Sequence, residues 1–138
     1  MKTYLIDTPL LKMPPSPGPT ALRKWCEDNT PSLFLSAASL AEIIGGVSKS
    51  SASQSLRARA LREWIDGIAI AFADRILGVD VAISKRAGEL LPHLANAHPR
   101  HRLHDAILVA TAQAHGHGLV TRREGIFGPW TQTPIEVI

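Results

Sequence analysis

Short runs of β-forming residues alternate with segments of helical periodicity along almost the whole sequence. That alternation admits few folds, because strands joined through helices pair in parallel within an α/β layer architecture. The first strand is Thr3 to Ile6, stopped by Asp7-Thr8-Pro9. Lys12 to Pro19 carries four prolines and a glycine and must be a loop. A helix follows from about Thr20 to Glu27, with Leu22, Trp25 and Cys26 on one face. Leu33 to Leu35 reads as the second strand, and Ser36 or Ser39 can cap a helix whose stripe is Leu40, Ile43, Ile44 and Val47 and which ends near Gly45-Gly46 or shortly after. Ser48 to Ser55 is a polar loop leading to a cap, and Leu56 to Phe72 is a long amphipathic helix with Leu61, Trp64, Ile65, Ile68 and Phe72 on one face. Ile76 to Val79 supplies a candidate third strand, and Val81 to Leu94 a further helix. Asp105 to His115 is apolar all round and therefore a buried helix, closed by Gly116 and Gly118; Leu119 to Thr121 and Ile135 to Ile138 complete the strands.

With 138 residues the chain can build one core, so a single domain over 1–138 is expected, with no internal repeat and no linker. Charged residues make up 20% of it, which excludes a charge-driven disordered chain. No apolar run is long enough to span a bilayer, and Asp7 interrupts the N-terminal run that a secretory signal would need, so a cytoplasmic protein without a membrane partner is expected. The single cysteine, Cys26, cannot form an internal disulfide. A net charge of +3 and a pI near 9.4 favour an anionic partner. The arginines fall in groups: Arg57, Arg59 and Arg62, then Arg100 and Arg102, then Arg122 and Arg123. Solvated helix faces or a polyanion-binding surface would both produce such groups.

Three carboxylates occupy positions where this architecture builds sites. Asp7 follows the first strand, and open α/β sheets bind ligands outside the carboxyl ends of their strands. Asp105 opens the buried helix, where free N–H groups and the helix dipole stabilise negative charge, which is also a complete structural reason for its presence. Glu42 lies in the helix after the second strand and points away from its apolar stripe, as a solvated residue would. Converging carboxylates suit Mg²⁺ or Mn²⁺, and such an ion activates water and offsets the charge of a phosphodiester under attack.

Three segments carry a family resemblance. YLIDTPLL (Tyr4 to Leu11), SAASLAEIIGGV (Ser36 to Val47) and LHDAILVATAQAHGHGLVTR (Leu103 to Arg122) stand in order over most of the chain, and together they resemble the PIN-domain ribonucleases, in particular the VapC-like toxins of VapBC toxin–antitoxin pairs. The resemblance implies a three-layer α/β/α PIN-like fold with a mainly parallel central sheet of four to five strands. It implies that Asp7, Glu42 and Asp105 are the catalytic, metal-binding acids of an Mg²⁺- or Mn²⁺-dependent endoribonuclease, that a VapB-like antitoxin is a partner, and that the protein is a homodimer. Arg100, Arg102, Arg122 and Arg123 would then contact the RNA backbone. Two positions depart from the family pattern. Pro9 stands where Asn or Ser is usual, and Arg123 followed by Glu124 stands where many members place Asp or Asn. Glu124 is either a fourth ligand reaching back from one residue late or an exposed loop carboxylate.

Asp80 has two readings, a further acid or a helix cap. The histidines His98, His101, His104, His115 and His117 could form a transition-metal site, although His115 and His117 also suit a helix end. No nucleophile elbow and no glycine-rich phosphate loop is present in the sequence. Two other classes compete with the enzyme: a PIN domain with impaired chemistry serving as an RNA- or protein-binding module, and an unrelated α/β domain whose acids hold a regulatory ion.

Overall fold

A computed structural model describes residues 2–8, 25, 28–49, 54–121, 123–127 and 135–137. The expected loop of 12–19, Pro9, Cys26, Arg122 and most of the expected helix of 20–27 lie outside the described residues. The elements run β1 (Tyr4–Ile6), a 3-10 turn (Thr30–Ser32), β2 (Leu33–Ser36), α1 (Ala37–Lys49), α2 (Leu56–Ala71), β3 (Ile76–Leu77), α3 (Val81–Leu90), a second 3-10 turn (Leu91–His93), α4 (Arg102–His115), β4 (Gly118–Thr121), α5 (Glu124–Phe127) and β5 (Ile135–Val137). The strands form one sheet in the order β3-β2-β1-β4-β5, and every described pairing is parallel. Tyr4 lies opposite Leu33 on one side and Gly118 on the other, which puts β1 at the centre.

Parallel strands buried on both faces alternate their side chains between two cores. Leu5 and Leu119 join Ile83, Ala87, Leu90, Leu108 and Val109 in the core beneath α3 and α4. Tyr4, Ile6, Leu33, Leu35 and Val120 join Ile43, Ile65 and Ile68 in the core beneath α1 and α2. Three layers, α/β/α, follow directly. Trp25 closes the second core edge-on against Tyr4, with ring centroids 5.1 Å apart.

Several boundaries differ from expectation for local reasons. Helix α1 does end shortly after Gly45-Gly46, as expected, at Lys49 with Val47 buried; a glycine in a helix interior costs about 1 kcal/mol, which such burial helps offset. Of the two expected caps of α1, the Ser36 hydroxyl accepts from Ala38 N–H at 3.1 Å, while Ser39 is buried inside the helix. Ser55 caps α2, as expected. Strand β3 stops at Leu77, short of the expected Val79, and the helix expected to reach Leu94 becomes a 3-10 turn at Leu91, where Pro92 has no N–H to continue it. Asp80 is the α3 cap, its carboxylate accepting from Ile83 N–H at 2.8 Å. Helix α4 begins at Arg102, so Asp105 lies within its first turn instead of opening it. No helix among the described residues is long and apolar enough to cross a membrane.

Gly116 ends α4 in the left-handed region, with φ of 69°. The chain then turns into β4 through His117, whose Nδ1 lies 2.6 Å from Thr3 Oγ1 and whose ring stacks on Phe34 at 4.2 Å. Burial, reinforced by nearby His115, lowers the His117 pKa, so the unfolded chain takes up the proton first. The stability contributed by neutral His117 is therefore complete above the ordinary imidazole value of about 6.5 and is lost as pH falls through the depressed folded value. Melting temperatures measured from about pH 7.5 down to about 5.5 are expected to fall more steeply for the wild type than for His117→Asn; parallel curves would show that His117 does not carry the effect.

Candidate active site

The strand order reverses direction between β1 and β4: the chain builds outward from β1 to β2 and β3, then returns to the other side for β4 and β5. Diverging loops leave a crevice at the carboxyl ends of such a strand pair. Asp7 follows β1 and holds its place by donating its N–H to Val120 O at 2.9 Å. Thr121 ends β4, and Arg123 follows two residues later. The first turn of α4 brings Asp105 to the same place. The side chains of Asp7 and Asp105 are each only 1% exposed.

Two buried carboxylates this close require positive charge between them, and Arg123 supplies it. Its Nη2 donates to Asp7 Oδ1 at 2.6 Å and to Asp105 Oδ1 at 2.8 Å. Nε donates to Asp7 Oδ2 at 2.8 Å, and Nη1 reaches Asp105 Oδ2 at 3.3 Å. The planar fork thus meets one carboxylate on each of two edges, a geometry lysine cannot reproduce. The guanidinium lies 5.0 Å from the centre of the buried Phe127 ring. Thr121 Oγ1 donates to Asp7 Oδ2 at 2.7 Å and accepts from Arg123 N–H at 2.8 Å, fixing acid and arginine together. Burial raises the Asp105 pKa above the usual carboxylate value even though Arg123 opposes the shift. Burial would lower the Arg123 pKa, but its hydrogen bonds to Asp7 and Asp105 outweigh that and raise it.

Glu42 joins the site through histidines. Its Oε1 is 3.0 Å from His101 Nδ1, and its Oε2 is 2.8 Å from His104 Nε2. His104 Nε2 also lies 2.6 Å from Thr8 Oγ1, whose hydroxyl donates to Ser39 Oγ at 2.8 Å. With that hydroxyl committed to Ser39, Nε2 is the donor to Thr8, and Glu42 Oε2 is left buried without a well-aligned hydrogen bond. Burial lowers the His104 pKa, against the pull of Glu42, Asp105 and Asp7, which favours the neutral ring. Glu42 is therefore a half-buried site residue and not the solvated one its helix pattern indicates.

Asp7, Asp105 and Glu42 are hard oxygen donors of the kind Mg²⁺ and Mn²⁺ take, and the unsatisfied Glu42 Oε2 is a spare acceptor among them. Their chemistry fits a divalent ion, although no three Asp, Glu, His or Cys side chains among the described residues converge in a metal-holding geometry, because the guanidinium stands between Asp7 and Asp105. The histidine cluster is not a transition-metal site either: His101 and His104 serve Glu42, and His117 packs on Phe34. Glu124 opens α5, and its side chain lies outside the described residues.

Two arginines expected at the RNA backbone point inward instead. Arg102 donates to the carbonyls of Leu94 and Ala97, at 3.1 and 3.4 Å, where helical hydrogen bonding has stopped, and Arg123 is held on the acids. Arg100 is exposed. The sequence reading also missed Thr8, Ser39 and Thr121. For His101 and His104 a usable signal existed, since a three-residue spacing beside Asp105 puts them on the same side of the chain at the start of α4.

A three-layer parallel α/β domain with buried acids at its topological switch point is the class that fold and site define. The PIN domain family profile matches residues 6–126, and the chain belongs to the PIN domain family. Its fold is shared by FitAB bound to an IR36 DNA fragment (TM-score 0.79, 23% identity, 98% of this chain and 94% of that one). It is shared too by FitAcB from Neisseria gonorrhoeae (0.75, 24% identity, 96% of each chain) and by VapBC2 from Rickettsia felis bound to a DNA fragment from their promoter (0.72, 19% identity, 99% and 98%). No curated protein sequence matches the chain.

Thr121→Val keeps the shape of β4 while removing the hydroxyl that serves both Asp7 and Arg123. Losing a hydrogen bond to a charged group costs about 1.5–3 kcal/mol, so urea unfolding should show a loss of that order. A change below about 0.5 kcal/mol, the range of ordinary surface substitutions, would mean that Thr121 does not organise the pair.

Proposed function

We propose that this protein is a metal-dependent endoribonuclease, the toxin of a toxin–antitoxin pair, with Asp7, Glu42 and Asp105 as its metal-binding, catalytic acids. The observation that carries the reading is that one nitrogen, Arg123 Nη2, touches an oxygen of both Asp7 and Asp105, so two buried acids from distant parts of the chain bracket a single cation position. Glu42, which meets His104 next to Asp105 in the chain, adds a third carboxylate.

The chemistry a bound Mg²⁺ or Mn²⁺ supplies in such a cluster is Lewis-acid polarisation of water and of the phosphodiester. The residues of the chain do the rest. Thr121 orients Asp7, the first turn of α4 orients Asp105, and His104 Nε2–H faces Glu42 and the Thr8 hydroxyl. Arg100 and Arg122 are proposed phosphate contacts that position RNA without reading its sequence. Glu124, next after Arg123, remains a proposed fourth ligand. That FitAB, FitAcB and VapBC2 share this fold supports a VapB-like antitoxin as a partner. A homodimer is proposed as the assembly, in which two sites would line one groove. A basic pI near 9.4 supports a polyanionic substrate, and a cytoplasmic location accords with that.

One observation favours a second reading, a PIN domain that binds without cleaving: Arg123 neutralises the acids that a metal would need. Cleavage assays separate the two. Wild-type protein with Mg²⁺ or Mn²⁺ is expected to cut RNA, and chelation is expected to stop it. Asp7→Asn and Asp105→Asn are expected to lose at least about 100-fold in rate, while circular dichroism shows the fold retained. Full activity in both variants would remove the catalytic assignment; an inert wild type that still binds RNA would establish the second reading.

A further inference from the structure

We propose that Arg123 is the resident counter-cation of the acidic cluster, and that a divalent ion enters only by displacing its guanidinium from Asp7 and Asp105. The inference rests on the reading of the cluster as a metal site and adds a built-in competitor to it. Arg123 contacts all four carboxylate oxygens of the two aspartates. A divalent ion needs those same oxygens at about 2.0–2.6 Å, closer than a guanidinium nitrogen can share, so the two cations exclude each other.

Two features fit an exchangeable guanidinium better than a permanent one. Arg123 is anchored at its backbone, where its N–H meets Thr121 Oγ1, while its side chain is 26% exposed beside aspartates that are 1% exposed. The guanidinium can therefore leave toward solvent while the acids stay in place. Second, one guanidinium faces three carboxylates, and Arg123 reaches only two of them; Glu42 Oε2 stays buried near His104 without a well-aligned hydrogen bond. A doubly charged ion answers that imbalance more fully than an arginine does. The metal-free protein keeps a paired, folded site, and its metal affinity is lowered by the fraction of molecules whose site is closed.

The test uses the full chain, freed of metal by chelation and dialysis, with Mn²⁺ alone as the probe. Isothermal titration compares wild type with Arg123→Gln, and because that variant leaves two buried carboxylates facing each other, Arg123→Lys is titrated beside it. If the closed site holds nine molecules in ten or more, Arg123→Gln should bind Mn²⁺ about tenfold tighter than wild type, with Arg123→Lys between them. Thermal melting gives a readout independent of cleavage: both variants should melt below wild type without metal and gain more from Mn²⁺ than wild type does. Equal Mn²⁺ affinity in all three proteins would overturn the competition while leaving the metal site standing. Weaker binding by the variants would overturn it as well, by making Arg123 an aid to the ion. Absence of Mn²⁺ binding in every protein would overturn both the competition and the metal reading beneath it.

Discussion

Two carboxylates buried at the end of a parallel strand pair set the terms for everything around them. An unpaired charge taken out of water costs several kcal/mol, and Asp7 and Asp105 are both almost fully excluded from it. The chain meets that cost with directed donors: the Thr121 hydroxyl and above all the Arg123 fork. None of these could be placed without the sheet. Pairing of Asp7 N–H with Val120 O carries the β1–β4 ladder one step past the strand, and that step aims the Asp7 carboxylate at the crevice. Fold and site are a single packing problem, solved where the strand order reverses.

Much of the scaffold was legible because its signals are local. Tyr4–Ile6, Leu33–Ser36 and Gly118–Thr121 are short β-forming runs, and the stripe of Ile43 and Val47 marks a helix whatever lies opposite. Helix ends were less legible, since they depend on tertiary burial. Gly45-Gly46 is a stop signal in sequence, and only the docking of Val47 beyond it shows why the helix continues. Asp7 and Asp105 could be picked out by position, one after a strand and one beside a helix start. Glu42 could not be read as a partner from its own helix, because its partners, His101 and His104, sit at the head of α4. The same applies to Arg123, whose acids are 116 and 18 residues away in sequence.

The histidines show how one residue type divides by environment. His117 is packed under the amino end of the sheet, bonded to Thr3 and stacked on Phe34, so its role is structural. His104, only thirteen positions earlier, stands between Thr8 and Glu42 at the opposite end. Burial pushes both toward the neutral form, but only His104 faces three acids that pull the other way. Glu42, Asp105 and Asp7 together set a demand for a cation at this end of the sheet.

That demand explains how a basic residue can stand where the resemblance leads one to expect Asp or Asn. An acid at position 123 would add a third charge to two buried carboxylates, and the site could then be relieved only by a cation from outside the chain. Arginine reverses the sign at that point. Phe127 supports its guanidinium and Thr121 holds its backbone. Asp7 and Asp105 gain a counter-charge without a bound ion, through four contacts that fill the position proposed for one. On the proposal that these acids hold a divalent ion, stability of the metal-free state and affinity for metal are set against each other in one side chain, because both cations use the same oxygens.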